Sequence, residues 1–149
     1  MNELDTAVSV DDLRILLKKV DKISNEQWLS QLNHRKKEEL DFHDQHRDRQ
    51  AAESLDQDVF ERLYGNRKYY TATQESSDYV DNWIARESKN RVFLDYACGN
   101  GVNAIKAAQA GAELSVGIDI SSVSIENARK DAKESGNSSN TFFVQADAE

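Results

Sequence analysis

RVFLDYACGNG, residues 91–101, decides the fold of this chain. Its first five residues form a short apolar run with β-branched and aromatic side chains, which is typical of a buried parallel strand. The glycines that follow predict a tight turn, and the residues from Val102 to Ala110 predict a helix that ends at Gly111. A strand, a glycine turn and a helix in this order predict one βα unit.

The same alternation of strand and helix continues through the rest of the sequence. Residues 114–118 predict a second strand that ends at Asp119, Ser121 or Ser122 predicts the N-cap of a second helix, and residues 141–145 predict a third strand. A βαβαβ order predicts right-handed crossovers. We therefore expect an α/β fold with a Rossmann-like parallel sheet in the strand order 3-2-1.

The first part of the chain, residues 1–90, has helical signals only. Ser9 with Asp12 and Ser24 with Gln27 have the spacing of capping boxes. They predict a short first helix and a long polar second helix that continues into the mid-forties. Further helices are predicted near residues 55–64 and after Ser76 or Ser77. The expected organisation is thus a helical N-terminal segment over residues 1–90, followed by the sheet domain over residues 91–149.

Composition narrows the class of protein. A net charge of −8 over 149 residues disfavours binding to a nucleic-acid backbone, which relies on Lys and Arg. No apolar run has the length of a signal peptide core or of a membrane span. The lone Cys98 has no second cysteine for an intrachain disulfide. We therefore expect a cytoplasmic protein without nucleic-acid or membrane partners.

Aspartates follow the three predicted strands, at the edge where an open parallel sheet binds its ligands. Asp95 lies four residues before Gly99, Asp119 ends the second strand, and Asp147 follows the third. A carboxylate beside the glycine turn would repel the pyrophosphate of NAD, so the pattern favours a cationic, amine-bearing nucleoside. The alternative is that the three acids only cap the turns after the strands.

Three segments together resemble the class I S-adenosylmethionine-dependent methyltransferases. DYACGNG at 95–101 is similar to motif I of that family, GIDIS at 117–121 to its post-I motif, and QADAE at 145–149 to its motif II. The first glycine of the common D-x-G-x-G form is Ala97 here. The resemblance covers residues 91–149, and it implies S-adenosylmethionine as the cofactor and S-adenosylhomocysteine as the product.

The resemblance also implies a role for each matched position. The glycine turn would approach the methionine moiety and the ribose. Asp119 would accept hydrogen bonds from both ribose hydroxyls, and it is expected to make few core contacts at the exposed end of its strand. Ile120 would lie against the adenine, and Asp147 would accept from the adenine amine. The cofactor-binding residues implied in this way are Asp95, Ala97, Gly99, Asn100, Gly101, Asp119, Ile120, Asp147 and Ala148.

Residues 38–48 and 66–76 resemble the lead-in segments that fold over the cofactor in many small methyltransferases. On that basis His43, Tyr69 and Tyr70 are candidates for a lid or for the substrate side of the site. A solvated helix face is the alternative for His43, and packing in a core is the alternative for the two tyrosines. No metal site is predicted.

The expected function is methyl transfer to an acceptor that we expect to be a small molecule. Acceptor residues of the family normally follow a fourth strand, whereas the sequence ends at Glu149, so the C-terminal half of the sheet is expected to be absent. The alternative is a non-catalytic cofactor-binding module or fragment. No catalytic base can be named. The unpaired edge of the first strand would favour self-association.

Overall fold

The structure is a computed structural model that describes residues 8–47 and 73–147, with only the backbone described for residues 43 and 45–47. No helix in these ranges is both long and apolar enough to cross a membrane. The elements in chain order are α1 (Val10–Val20), α2 (Asn25–Gln31), α3 (His34–Arg47), α4 (Gln74–Glu87), β1 (Val92–Tyr96), α5 (Val102–Gln109), β2 (Leu114–Asp119), α6 (Ser122–Glu134) and β3 (Thr141–Gln145).

The three strands form one parallel sheet in the order β1-β2-β3. Leu94 pairs with Val116, and Val116 in turn pairs with Phe142. This arrangement confirms the predicted Rossmann-like strand order 3-2-1. The parallel register brings the carboxyl ends of all three strands to one edge of the sheet, where the loops after the strands meet.

Helices α5 and α6 cover one face of the sheet. Phe143 of β3 is 3% exposed and lies at the centre of the core between these helices and the sheet. A Cβ atom at Gly117 or Gly101 would come within 2.5 Å of the Phe143 ring. The two glycines therefore leave the space that the ring fills, and this face packs closely because both positions lack a side chain.

Helix α1 covers the opposite face. Leu17 packs with Leu114, Val116 and Val144, so the helix lies over β2 and β3. The N-terminal segment thus contributes directly to the core of the sheet. The β1 part of this face is less covered than the β2 and β3 parts, because three β1 side chains on it are exposed. These side chains are Val92, Leu94 and Tyr96.

The two lateral edges of the sheet, formed by the outer strands β1 and β3, also differ. At the β3 edge, the Arg129 guanidinium donates to the Phe143 carbonyl at 2.7 Å and pairs with Asp21 at the end of α1. A charged side chain from a neighbouring helix that bonds to the outer backbone of an edge strand discourages pairing with another strand. At the other edge, within the described residues, β1 pairs only with β2. Arg129 therefore covers part of the β3 edge, whereas no partner other than β2 is present for β1 among the described residues.

The prediction of one long second helix is wrong. Ser24 and Gln27 do form the predicted capping box, but α2 ends after seven residues and Leu32 is extended, with ψ of 139°. Asn33 then begins α3, because its side-chain oxygen accepts from the Lys36 N–H at 3.0 Å. Asn is one of the best N-cap residues, so Asn33 was the signal in the sequence for a new helix.

The other helix starts agree with the sequence in part. Ser9 caps α1 by accepting from the Asp12 N–H, as predicted. Helix α4 begins at Gln74, before the predicted caps at Ser76 and Ser77, and its first turn has no side-chain cap. The helix predicted near residues 55–64 lies outside the described residues.

Candidate functional site

The candidate site is the edge of the sheet where the three strands end. Asp95 lies near the end of β1, Asp119 is the last residue of β2, and Asp147 lies two residues after β3. The structure thus brings the three predicted acids to neighbouring strand ends. Because the strands are parallel and adjacent, a ligand at this edge would contact all three loops at once.

Asp119 is buried, whereas the sequence predicted an exposed residue. The residue is only 5% exposed, and its carboxylate accepts from two backbone groups, the Gly99 N–H at 2.8 Å and the Ser121 N–H at 2.9 Å. The first of these hydrogen bonds connects the end of β2 to the glycine turn after β1. Asp119 therefore holds the turn in place, in addition to the ribose contact predicted for it.

Asp95 is linked to the start of the following helix. Its Oδ2 atom accepts from the Ala104 N–H at 3.2 Å, in the first turn of α5, where helix N–H groups lack partners within the helix. Burial raises the pKa of the Asp95 carboxyl, the Ala104 hydrogen bond lowers it, and the negative charge of Asp119 raises it further. Asp95 and Asp119 therefore form a pair of carboxylates whose mutual repulsion a cationic ligand would relieve.

We expect Asp95→Asn to stabilise the protein at neutral pH. The raised pKa means that the folded state binds a proton more readily than the unfolded state, so stability falls as the pH rises from the ordinary Asp range through the raised pKa. Asn keeps an acceptor for the Ala104 N–H and carries no charge. Urea unfolding at pH 7.5 should give a higher midpoint for the variant, and the difference should shrink as the pH falls towards the ordinary Asp range.

The matched control for this prediction is Glu113→Gln, which removes one exposed carboxylate before β2. Its unfolding midpoint should follow that of the parent at each pH. A lower midpoint of Asp95→Asn at pH 7.5 would contradict the prediction, because it would mean that the charged carboxylate stabilises the fold.

The glycine turn contains a residue in a strained conformation. Ala97, Gly99 and Gly101 have φ of +54°, +54° and +74°, which is the left-handed region. Only glycine adopts this region without a steric penalty. Ala97 stands where the common motif I form has glycine, so the departure from the motif strains the backbone.

We therefore expect Ala97→Gly to raise the free energy of unfolding by up to ~1 kcal/mol. The left-handed conformation costs an L-residue ~1–2 kcal/mol, and the greater freedom of unfolded glycine offsets ~0.5–1 kcal/mol of the gain. Ala110→Gly is the control, because Ala110 has an ordinary φ of −76°. Chemical unfolding should show the control to be less stable than the parent, and a loss of stability in Ala97→Gly would contradict the strain argument.

The other two predicted residues of the turn lie deeper in the fold. Gly101 is buried under the Phe143 ring and begins α5. Asn100 is half-buried, and its side-chain oxygen accepts from the Asn127 amide of α6 at 3.4 Å. Both positions thus have packing roles in the structure, and their contact with a cofactor stays a prediction.

The loops after β2 and β3 are joined to each other and to the N-terminal helices. Gln145 donates to the Ile120 carbonyl at 2.9 Å, which connects the two loops. Asp147 forms an ion pair with Lys36 of α3. Ser121, directly after Ile120, donates its hydroxyl to the Asp44 carboxylate of α3. Helix α3 therefore contacts both loops of the predicted nucleoside site.

Four predicted site residues have no described side chain. Ala148, Tyr69 and Tyr70 lie outside the described residues, and only the backbone of His43 is described, within α3. Sequence reasoning in turn missed Lys36 and Asp44. The signal that identifies them is their spacing with Leu40, at positions i, i+4 and i+8 of one helix face.

The chemistry of this edge fits S-adenosylmethionine. Asp95 and Asp119 lie close enough for the charge of one to raise the pKa of the other, so the edge has an excess of negative charge. A carboxylate only accepts hydrogen bonds, so Asp119 suits ligand hydroxyls as donors. A cofactor with an ammonium, a sulfonium and ribose hydroxyls suits this set, whereas a pyrophosphate does not.

Comparison with known proteins finds similarity to methyltransferases. A family described as methyltransferase domain matches residues 87–149. The ribosomal protein L11 methyltransferase of Hamiltonella defensa is 33% identical over 67 residues, which are 44% of this chain and 22% of that protein. Its counterpart in Tolumonas auensis is 35% identical over 67 residues, 44% of this chain and 23% of that protein. The chain therefore spans less than a quarter of these relatives.

Solved structures give matches of lower similarity. The Trypanosoma brucei PRMT1 enzyme-prozyme heterotetrameric complex with AdoHcy is 28% identical, with a TM-score of 0.46, over 55% of this chain and 26% of that chain. A SAM-dependent methyltransferase from Geobacter sulfurreducens in complex with S-adenosyl-L-homocysteine is 23% identical, with a TM-score of 0.42, over 47% of this chain and 29% of that chain.

Proposed function

We propose that the chain holds the S-adenosylmethionine site of a class I methyltransferase, because residues 87–149 match a family described as methyltransferase domain. The observation that carries the proposal is the placement of three carboxylates where the strands of one parallel sheet end. Asp95, Asp119 and Asp147 lie at the ends of three adjacent parallel strands. This edge of an open α/β sheet is where such folds bind nucleotides.

Each carboxylate takes one part of the cofactor. Asp119 accepts from the ribose hydroxyls while it keeps its bond to Gly99, Asp147 accepts from the adenine amine, and Asp95 faces the cationic methionine end. Ile120 lies against the adenine ring. The backbone of the turn from Ala97 to Gly101, with the Asn100 side chain, completes the site.

When bound, S-adenosylmethionine would supply an electrophilic methyl group for the acceptor, and S-adenosylhomocysteine would leave. The residues of this chain contribute position and orientation, since held geometry removes much of the entropic barrier to a two-molecule reaction. Asp119 contributes most directly, because its hydrogen bond to the Gly99 N–H keeps the turn in one conformation before the cofactor arrives. We assign no catalytic base to the described residues.

The acceptor is a protein in our proposal. The sequence-based expectation was a small molecule, but the two curated relatives above are named for methylation of a ribosomal protein. Those names favour a protein over a small molecule as the class of acceptor. A transfer assay with radiolabelled S-adenosylmethionine should compare ribosomal protein extract with a panel of small amines and hydroxylated compounds.

The open edge of β1 is where the site is completed. In a doubly wound sheet the ligand crevice lies between the first strand and the strand that pairs with its other edge. Val92, Leu94 and Tyr96 are exposed on β1, and within the described residues β1 pairs only with β2. We therefore propose that a further strand pairs with the outer edge of β1 and completes the site.

Calorimetric titration of the full chain tests the cofactor assignment. S-adenosylhomocysteine should bind, and NAD should bind more weakly, because Asp95 repels a pyrophosphate. Tighter binding of NAD, or no binding of S-adenosylhomocysteine, would reject the proposal. Binding without methyl transfer by any assembly of the chain would favour the alternative function, a non-catalytic cofactor-binding module. Sedimentation of the same sample tests the β1 edge, since an active monomer would contradict its role in completing the site.

A further inference from the structure

Helix α3 is attached to the candidate site by two polar contacts that are distant in sequence. Lys36 forms an ion pair with Asp147, 111 residues away, and Asp44 accepts from the hydroxyl of Ser121, 77 residues away. The two α3 residues are eight positions apart, which corresponds to ~12 Å along a helix. The helix therefore spans the loops after β2 and β3.

A buried leucine lies midway between the two contacts. Leu40 is 2% exposed, four residues after Lys36 and four before Asp44. Lys36 and Asp44 are half-buried, and the remaining α3 side chains that the structure describes are exposed. The inward face of α3 thus consists of Lys36, Leu40 and Asp44. Leu40 and Asp44 can hold the helix in place without the contact of Lys36.

The ion pair lies where the proposed function places the adenine amine. Asp147 is the predicted acceptor for that amine, and its side chain is already 25% exposed against 16% for Lys36. A partly desolvated ammonium is a stronger partner for a carboxylate than a neutral amine is. A ligand that needs Asp147 must therefore compete with Lys36.

We propose that Lys36 and the adenine amine of the cofactor are alternative partners of Asp147, so that α3 is an autoinhibitory strap over the nucleoside site. This inference rests on the proposed function. Leu40 and the contact between Asp44 and Ser121 keep the strap in place, and the flexible Lys36 side chain opens or closes the adenine end. The apparent affinity for the cofactor is reduced by the fraction of molecules in which Lys36 occupies Asp147.

The test is calorimetric titration of S-adenosylhomocysteine into the full chain and into Lys36→Met, which keeps the apolar stem and the helix propensity. We expect the variant to bind about two- to five-fold more tightly, the size of one partly screened ion pair. Lys36→Arg keeps the cation and should bind like the parent. Lys37→Met, at the exposed neighbouring position, is the matched control and should also bind like the parent.

Salt provides a readout that a purely structural role would not change. Raising the ionic strength weakens the ion pair, so the difference in affinity between the parent and Lys36→Met should shrink. Equal or weaker binding by Lys36→Met, with thermal unfolding like that of the parent, would overturn the inference and leave the cofactor assignment intact. If neither protein binds S-adenosylhomocysteine, the proposed function fails as well. If Lys36→Met does not fold, Lys36→Gln in the same salt series tests whether Lys36 competes with the cofactor.

Discussion

Phe143→Ala is expected to lower the free energy of unfolding by ~3–5 kcal/mol, the range for removal of a fully buried phenylalanine ring. The ring is 3% exposed and packs against residues of both α5 and α6. Its removal leaves a cavity that the strands and helices on this face cannot easily close. Denaturant unfolding followed by circular dichroism measures the loss.

Two comparisons make this prediction specific to the contact with the glycines. Phe142, the neighbouring residue on the opposite face, is only half-buried, so Phe142→Ala should lower the free energy of unfolding by less. Gly101→Ala should also destabilise, because its Cβ would meet the Phe143 ring at 2.5 Å and its φ is +74°. In a Phe143→Leu background that added loss should be smaller, since residues in contact are not additive. Strict additivity would contradict the packing argument.

Asp119→Ala is expected both to destabilise the protein by ~2–5 kcal/mol and to abolish cofactor binding. The substitution leaves the Gly99 and Ser121 N–H groups without their acceptor, and each buried unpaired group costs ~1–3 kcal/mol. It also removes the proposed ribose acceptor. Unfolding experiments and calorimetry with S-adenosylhomocysteine, the latter at a temperature where the variant is folded, measure the two effects separately.

Asp119→Asn distinguishes the structural role from the binding role. Asn keeps one acceptor oxygen, so it should lose less stability than Ala, while the loss of a charged acceptor should still weaken binding ~10- to 100-fold. Glu126→Ala removes an exposed carboxylate from α6 and is the control for charge alone. Parent-like affinity in Asp119→Asn would remove Asp119 from the cofactor site and leave it a purely structural residue.

Local signals were sufficient for the αβ part of the fold. Residues 91–95 and 141–145 read as strands because their apolar runs are short and bounded by turn residues, and the structure has strands at Val92–Tyr96 and Thr141–Gln145. The cap at Ser121 was also predicted and is present. These features depend on residues within a few positions of one another, which a single sequence displays.

Local signals failed where two of them competed. The apolar spacing of Trp28, Leu29 and Leu32 favoured one continuous helix, and the N-cap signal of Asn33 was overlooked within it. In the structure Leu32 is buried and extended, so α2 and α3 are separate helices. This break allows α3 to place Lys36 and Asp44 on the loops after β3 and β2.

The sequence by itself determined the order of the elements, the parallel sheet and the three acids at its carboxyl edge, because each depends on short-range periodicity, turns and caps. Only the tertiary structure decided what those acids contact. Asp119 bonds to Gly99, 20 residues away, and Asp147 pairs with Lys36, 111 residues away. The physical reason is that such partners are chosen by packing, since a buried carboxylate must find donors wherever the folded chain brings them.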